Sequence, residues 1–285
     1  MKLDNITSLN NKKMFEQLLK NSQQNFTFYD SFDAEYIDFL DESLIYKIKN
    51  EYDLEKLIVE NELETIRNAT NFVSNVLKSN LPPKYVKGTC IDIINTVRSG
   101  CCGANCRTHA IVLSQILTAM GFLSRYVFCY PIDYMYSENH VVTIVYSKQY
   151  HKWFLFDAAQ NLYYTDTSGK ILDIFELRTK LANSEKVKVE LLDEYWGNYT
   201  DKEKLLISTK NLIYMSKNVY RFACFQSSMT DHLAQNRIVK LYHLVPLNYI
   251  QTPFSVSSYD KYNKVKYEEL FISNCTDFFN RGDVL

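Results

Sequence analysis

Gly103-Ala-Asn-Cys-Arg-Thr-His-Ala-Ile-Val-Leu-Ser-Gln-Ile-Leu-Thr-Ala-Met-Gly121 is the stretch that decides how this chain is read. Asn105 is a good helix N-cap, and Ala110, Leu113, Leu117 and Met120 recur at helical spacing behind it. Gly121 then supplies a left-handed stop. The spacing predicts a helix of about four turns that opens on Cys106 and turns an apolar stripe toward a core. A thiol at a helix start meets free backbone N–H groups and the positive end of the helix dipole, and both favour thiolate. His109 lies on the same helix, one position short of the i+4 neighbour, and is poorly placed to serve Cys106 as a base.

Two later runs supply better partners. His140-Val-Val-Thr-Ile-Val-Tyr146 and Lys152-Trp-Phe-Leu-Phe-Asp157 are rich in β-branched and aromatic residues, and the polar Ser-Lys-Gln-Tyr-His between them fits a hairpin. A turn centred between Lys148 and Gln149 would set His140 directly opposite Asp157 at the open end. A cysteine at a helix start, a histidine opening a strand and an acid closing its partner strand make a Cys–His–Asp arrangement. In such a triad the thiolate attacks, the imidazole carries the proton and the carboxylate fixes the imidazole tautomer.

Here the sequence resembles the transglutaminase-like superfamily, which shares the papain-type core. Asn105-Cys-Arg-Thr-His-Ala110, Leu117-Thr-Ala-Met-Gly-Phe-Leu-Ser-Arg125, His140-Val-Val142 and Trp153-Phe-Leu-Phe-Asp157 look like the family's nucleophile helix, its continuation, its histidine strand and its acid strand. The likeness runs from about Thr89 to Leu177. It implies an α+β fold, with a nucleophile helix packed on an antiparallel sheet, an N-terminal helical region and a C-terminal α/β extension. It also implies catalysis by Cys106, His140 and Asp157 on an amide bond of a peptide or protein, through a thioester, with no cofactor and no metal. The sequence departs from the family pattern in two respects. Ala158 stands where members often carry proline, and no tryptophan lies upstream of Cys106, where many members use one at the oxyanion. The second departure favours hydrolysis over transamidation. The alternative is a non-catalytic binding scaffold, which would more usually have lost a triad member, and none is lost here.

The rest of the chain sets limits. At 285 residues and 46% hydrophobic it can bury a substantial core, and Tyr 22 with Phe 17 promises aromatic packing. A net charge of -1 leaves no electrostatic footprint for nucleic acid. No apolar run has the length of a signal peptide or a membrane span, and seven cysteines without a scaffold rhythm suit a reducing cytoplasm. Cys101 and Cys102 are a vicinal pair, a poor chelate, so no zinc site is expected. Two readings are open for them: both are buried packing residues, or their loop, made mobile by Gly100 and Gly103, lets one of them trap an oxidised Cys106 as a disulfide.

Three regions follow: helices over 1–80, the core over 81–190 and an extension over 191–285. Apolar periodicity predicts helices around Phe15–Leu19, Tyr36–Ile48 and Leu54–Leu77, the last ended by Pro82 and Pro83. Asn95 and Asn105 are candidate oxyanion donors, since an amide N–H can serve that role. Tyr134 and Tyr136, in the loop running into His140, are candidates for lining the substrate groove. Arg125 is expected to pair structurally with an acid or a carbonyl beneath the site. Asp173–Glu176 and Thr200–Glu203 are capping-box patterns, and the second should open a helix reaching past Val219 to Phe222.

Overall fold

A computed structural model describes residues 9–28, 36, 40–84, 86, 88–132, 139–192, 199–226, 239–249, 255–260 and 265–279. Its first half is helical: α1 (Leu9–Gln23), α2 (Glu42–Tyr52), α3 (Glu62–Val76), α4 (Cys90–Arg98) and α5 (Cys106–Ala119). Four strands come next, β1 (Leu123–Tyr130), β2 (His140–Ser147), β3 (Lys152–Asp157) and β4 (Leu162–Thr165). Then α6 (Ile174–Ala182), β5 (Lys188–Leu191) and α7 (Asp201–Asn218) lead to β6 (Arg221–Phe225). Strands β7 (Val239–Leu244), β8 (Ser255–Asp260) and β9 (Val265–Ile272) and the single turn α8 (Cys275–Phe278) complete it. The strands form one sheet in the order β5-β4-β3-β2-β1-β6-β7-β9-β8, antiparallel at every described pairing except β7 with β9. The expected α+β architecture is therefore present, and the C-terminal strands extend the same sheet.

Strand alternation divides the core. Phe154 and Phe156 of β3, with Val145 of β2, face α5 and the helices behind it, α2 to α4. Trp153 and Leu155, with Val142 and Ile144, face the other way, toward α1, α6 and α7. The N-terminal helices thus part between the two faces of the sheet, α1 to one and α2 and α3 to the other. Val112, Leu113, Ile116 and Leu117 of α5 are fully buried, each worth about 1.5–3 kcal/mol. That burial fixes the helix whose first residue is Cys106.

Three expectations about element limits need correction. The segment expected from Leu54 to Leu77 is a short 3-10 turn, Leu54–Leu57, followed by a separate α3. The break falls where Asn61 becomes an N-cap, its side chain accepting from the Glu64 N–H. The second helix begins only at Glu42, after its Asp41 cap. Helix α7 stops at Asn218, and Phe222 lies in β6 opposite Cys129 and Leu244. Both predicted capping boxes are formed, at Asp173–Glu176 and Thr200–Glu203. Among the described residues no helix is long and apolar enough to cross a membrane.

The loop before α5 is clamped, against the reading that makes it mobile. The Gly103 N–H donates to the Pro82 carbonyl at 3.0 Å and the Lys84 N–H donates to the Gly103 carbonyl at 3.3 Å. Cys102 is buried while Cys101 is exposed. The loop mobility on which a disulfide to Cys106 depends is therefore missing at its Gly103 end. Glycine is required there for space: a Cβ would sit 2.1 Å from the Leu81 carbonyl oxygen. Gly103→Ala should cost about 1–3 kcal/mol through this overlap. It should also lower the melting temperature, whereas a variant melting with the wild type would mean that the loop yields freely.

Candidate active site

Cys106 is the first residue of α5, and Asn105 caps that helix, its side-chain oxygen accepting from the Thr108 N–H at 2.9 Å. His140 opens β2 and Asp157 closes β3, so each lies where an element ends and its side chain can turn into a common space. The hairpin register differs from the expected one. Ser147 faces Lys152 and Thr143 faces Phe156, which sets Asp157 level with Val142 rather than His140. The cause is the loop: four residues, Lys148 to His151, connect the strands, and His151 adopts φ 50. The offset is two residues, and side chains alternate with period two, so His140 and Asp157 stay on one face as diagonal neighbours.

That diagonal is closed by a hydrogen bond. His140 Nε2 lies 2.6 Å from Asp157 Oδ2. A carboxylate only accepts, so Nε2 is the donor, leaving Nδ1 to face Cys106. Asp157 Oδ1 accepts the backbone N–H groups of Ala159 at 3.0 Å and Gln160 at 3.1 Å. The turn bearing those donors has alanine in place of the expected proline, and α3 holds it instead: the Ser74 hydroxyl donates to the Ala158 carbonyl at 2.7 Å. His140 and Asp157 are both buried.

The electrostatics run in one direction. Burial alone would push the Cys106 thiol up, but the hydrogen bond from His140, its charge and the Val141 backbone N–H outweigh burial and the Asp157 charge. The thiol therefore lies below its ordinary value. Burial alone would likewise push His140 down, and the charge and hydrogen bond of Asp157, with the contact to Cys106, raise it instead. Together these favour a thiolate–imidazolium pair. Cys129, opposite His140 on β1, behaves in the opposite sense, because burial pushes its thiol well up.

The other candidates fall unevenly. His109 donates from Nδ1 to the Asn105 carbonyl of its own helix at 2.9 Å, and burial pushes it down, so it is held as a neutral ring turned to its own backbone. Asn105 adjoins Cys106 with its side-chain oxygen engaged in the cap. Asn95 is exposed on α4. Tyr134 and Tyr136 lie outside the described residues. Arg125 is fully buried, its guanidinium 3.7 Å from the Tyr36 ring centre and 5.1 Å from that of Trp153, an aromatic setting that its sequence position did not announce. Among the described residues no group of three His, Cys, Asp or Glu side chains is placed to hold a metal ion.

Sequence reasoning missed two groups on α7. Tyr214 meets the His140 ring edge-to-face, with ring centres 5.3 Å apart, and donates its hydroxyl to the Asn139 carbonyl at 3.2 Å. Asn211 donates to the Gln160 side-chain oxygen and accepts from the Tyr164 hydroxyl, each at 2.8 Å. No local spacing signals either contact, because α7 reaches the site only through tertiary packing.

Residues 54–158 match the family model described as transglutaminase-like superfamily. No curated protein matches the chain. A solved structure from Cytophaga hutchinsonii, described as a "Putative Cysteine Protease", is similar at 13% identity with a TM-score of 0.33. The likeness covers 59% of this chain and 58% of that one. The matched span runs through α5, β2 and β3 and ends one residue beyond Asp157, so the likeness to the transglutaminase-like superfamily falls on the elements that carry Cys106, His140 and Asp157.

Proposed function

We propose that the chain is a cysteine-dependent acyl-transfer enzyme acting on an amide bond of a peptide or protein, with Cys106, His140 and Asp157 as its catalytic triad. The observation that carries this is the buried His140, bonded through Nε2 to Asp157 and facing the thiol of Cys106 on its other side.

The chemistry follows from that arrangement. The Cys106 thiolate attacks the carbonyl carbon, and the carbonyl π electrons move to oxygen. The N–H of Cys106, as the first residue of α5, has no carbonyl partner within the helix and is a candidate donor to such an oxyanion, with the side-chain amides of Asn105 and Asn95 as further candidates. The imidazolium passes its Nδ1 proton to the departing amine as the C–N bond breaks, leaving a thioester and a neutral ring. His140 then takes a proton from water, the hydroxide displaces the thioester sulfur, and the acid leaves with Cys106 restored as thiolate. Asp157 holds the Nε2 proton throughout. An amine in place of water would give transamidation, and the absence of a tryptophan upstream of Cys106 favours water. A reducing, cytoplasmic setting suits a thiolate nucleophile among seven free thiols.

Iodoacetamide labelling read by peptide mapping tests the nucleophile. A lowered thiol is ionised above its lowered value, and a raised histidine stays protonated until pH exceeds its raised value. The pair is populated between the two, and reactivity is lost as pH falls through the Cys106 value. At neutral pH Cys106 should react at least roughly fivefold faster than Cys101. Cys101 is the fair comparison because it is exposed, whereas burial pushes Cys90, Cys129 and Cys275 up. Equal labelling of Cys106 and Cys101 would remove the basis for the assignment.

Asp157→Asn tests the third member. The two backbone N–H groups of Ala159 and Gln160 claim the remaining oxygen, so the new NH2 group must face His140. That reverses the imidazole tautomer and sends an N–H toward the thiol. Turnover of a cleavable peptide library should fall by roughly 10³-fold or more while the protein stays folded. Activity within an order of magnitude of wild type would refute the role given to the carboxylate.

A further inference from the structure

Helix α7 lies outside residues 54–158, yet one of its faces reaches the cluster twice. Asn211 and Tyr214 are three residues apart and so project from the same side of the helix. Tyr214 is half-buried and its ring packs against that of the buried His140. Its hydroxyl is anchored on the Asn139 carbonyl, the residue immediately before His140, so the ring is fixed relative to the start of β2. Asn211 is buried and bonded at both ends, to Gln160 and to Tyr164. Gln160 in turn gives its backbone N–H to Asp157.

We propose that α7 supplies two positioning residues for the site: Tyr214 braces the His140 ring and stabilises its charged form, and Asn211 holds the turn that feeds Asp157 its backbone donors. The inference rests on the reading of Cys106 and His140 as a reactive pair. In this T-shaped pair an imidazolium edge set against the tyrosine face is attractive, because that face carries negative quadrupole charge, and the Lys217 ammonium over the same ring, 5.6 Å from its centre, offsets part of that attraction. Tyr214 therefore favours the charged ring, and a charged ring favours the thiolate. The titratable groups around His140 are Cys106 from α5, Asp157 from β3, Cys129 opposite on β1, and Tyr214 with Lys217 beyond it on α7. Of these, Tyr214 is the one whose ring can be removed without removing a member of the reacting cluster. A helix that serves only to cover the core would not alter the pH dependence of a thiol on α5.

The pH profile of Cys106 alkylation by iodoacetamide decides it, measured for wild type, Tyr214→Phe, Tyr214→Leu and Tyr214→Met, with thermal melting alongside. Leu and Met fill the space without a ring, so either one that folds is sufficient. Ringless variants should lose alkylation rate at neutral pH by roughly five- to thirtyfold, and the acid limb of the profile should move to higher pH. Tyr214→Phe keeps the ring but loses its hydroxyl anchor on the Asn139 carbonyl, and should shift the profile less than the ringless variants do. Ser208→Ala, on the same helix with its hydroxyl donating to the Lys204 carbonyl, should match wild type. A folded ringless variant with the wild-type profile overturns the proposal. So does a Tyr214→Phe profile shifted as far as that of Tyr214→Leu. If the wild-type protein itself shows no selectivity for Cys106, the underlying triad reading fails, which the same data separate from failure of this inference.

Discussion

A carboxylate buried at the end of a strand must find donors for its lone pairs, or it costs several kcal/mol and loses its charge. Asp157 finds three: the imidazole of His140 on one oxygen and the N–H groups of Ala159 and Gln160 on the other. This demand shapes what surrounds it. The turn after β3 must present two N–H groups inward, and Ser74 of α3 and Asn211 of α7 grip that turn from two sides. The imidazole must then direct its other nitrogen outward, to the start of α5, where the N-terminus already favours an anion. The site is thus assembled from helices on both faces of the sheet, meeting at the end where β2 begins and β3 stops.

Much of this was legible because it depends on local rules. Asn105 before a helical apolar stripe, and β-branched runs ended by His140 and Asp157, each follow from short-range chemistry. The hairpin register was misjudged by two residues, because the turn settled over four positions with His151 in the left-handed region. The pairing of His140 with Asp157 survived, since an even slip preserves the face and long side chains reach along the diagonal. An odd slip would have turned one of the two into the opposite core.

What could not be read lies in long-range packing. Asn61 interrupts an apolar pattern that looks continuous through Leu77, because a cap signal inside a periodic stretch is outweighed by the periodicity around it. Phe222 continues the helical spacing of α7 but pairs in the sheet with β1 and β7, a tertiary preference that overrides the local one. Gly103 looked like a source of mobility and is instead a point of close approach to Leu81. Tyr214 and Asn211 carried no signal, since only the folded chain brings α7 against the β2–β3 end.

The central claim is that His140 holds Cys106 as a thiolate at neutral pH. The ultraviolet absorbance of the thiolate, taken as wild type minus Cys106→Ser across pH, measures this without substrate. The account predicts a signal already present at neutral pH and lost only on acidification, and its displacement toward the ordinary thiol range in His140→Ala. A signal appearing only near the ordinary cysteine value of about 8.5, and unchanged by His140→Ala, would contradict it.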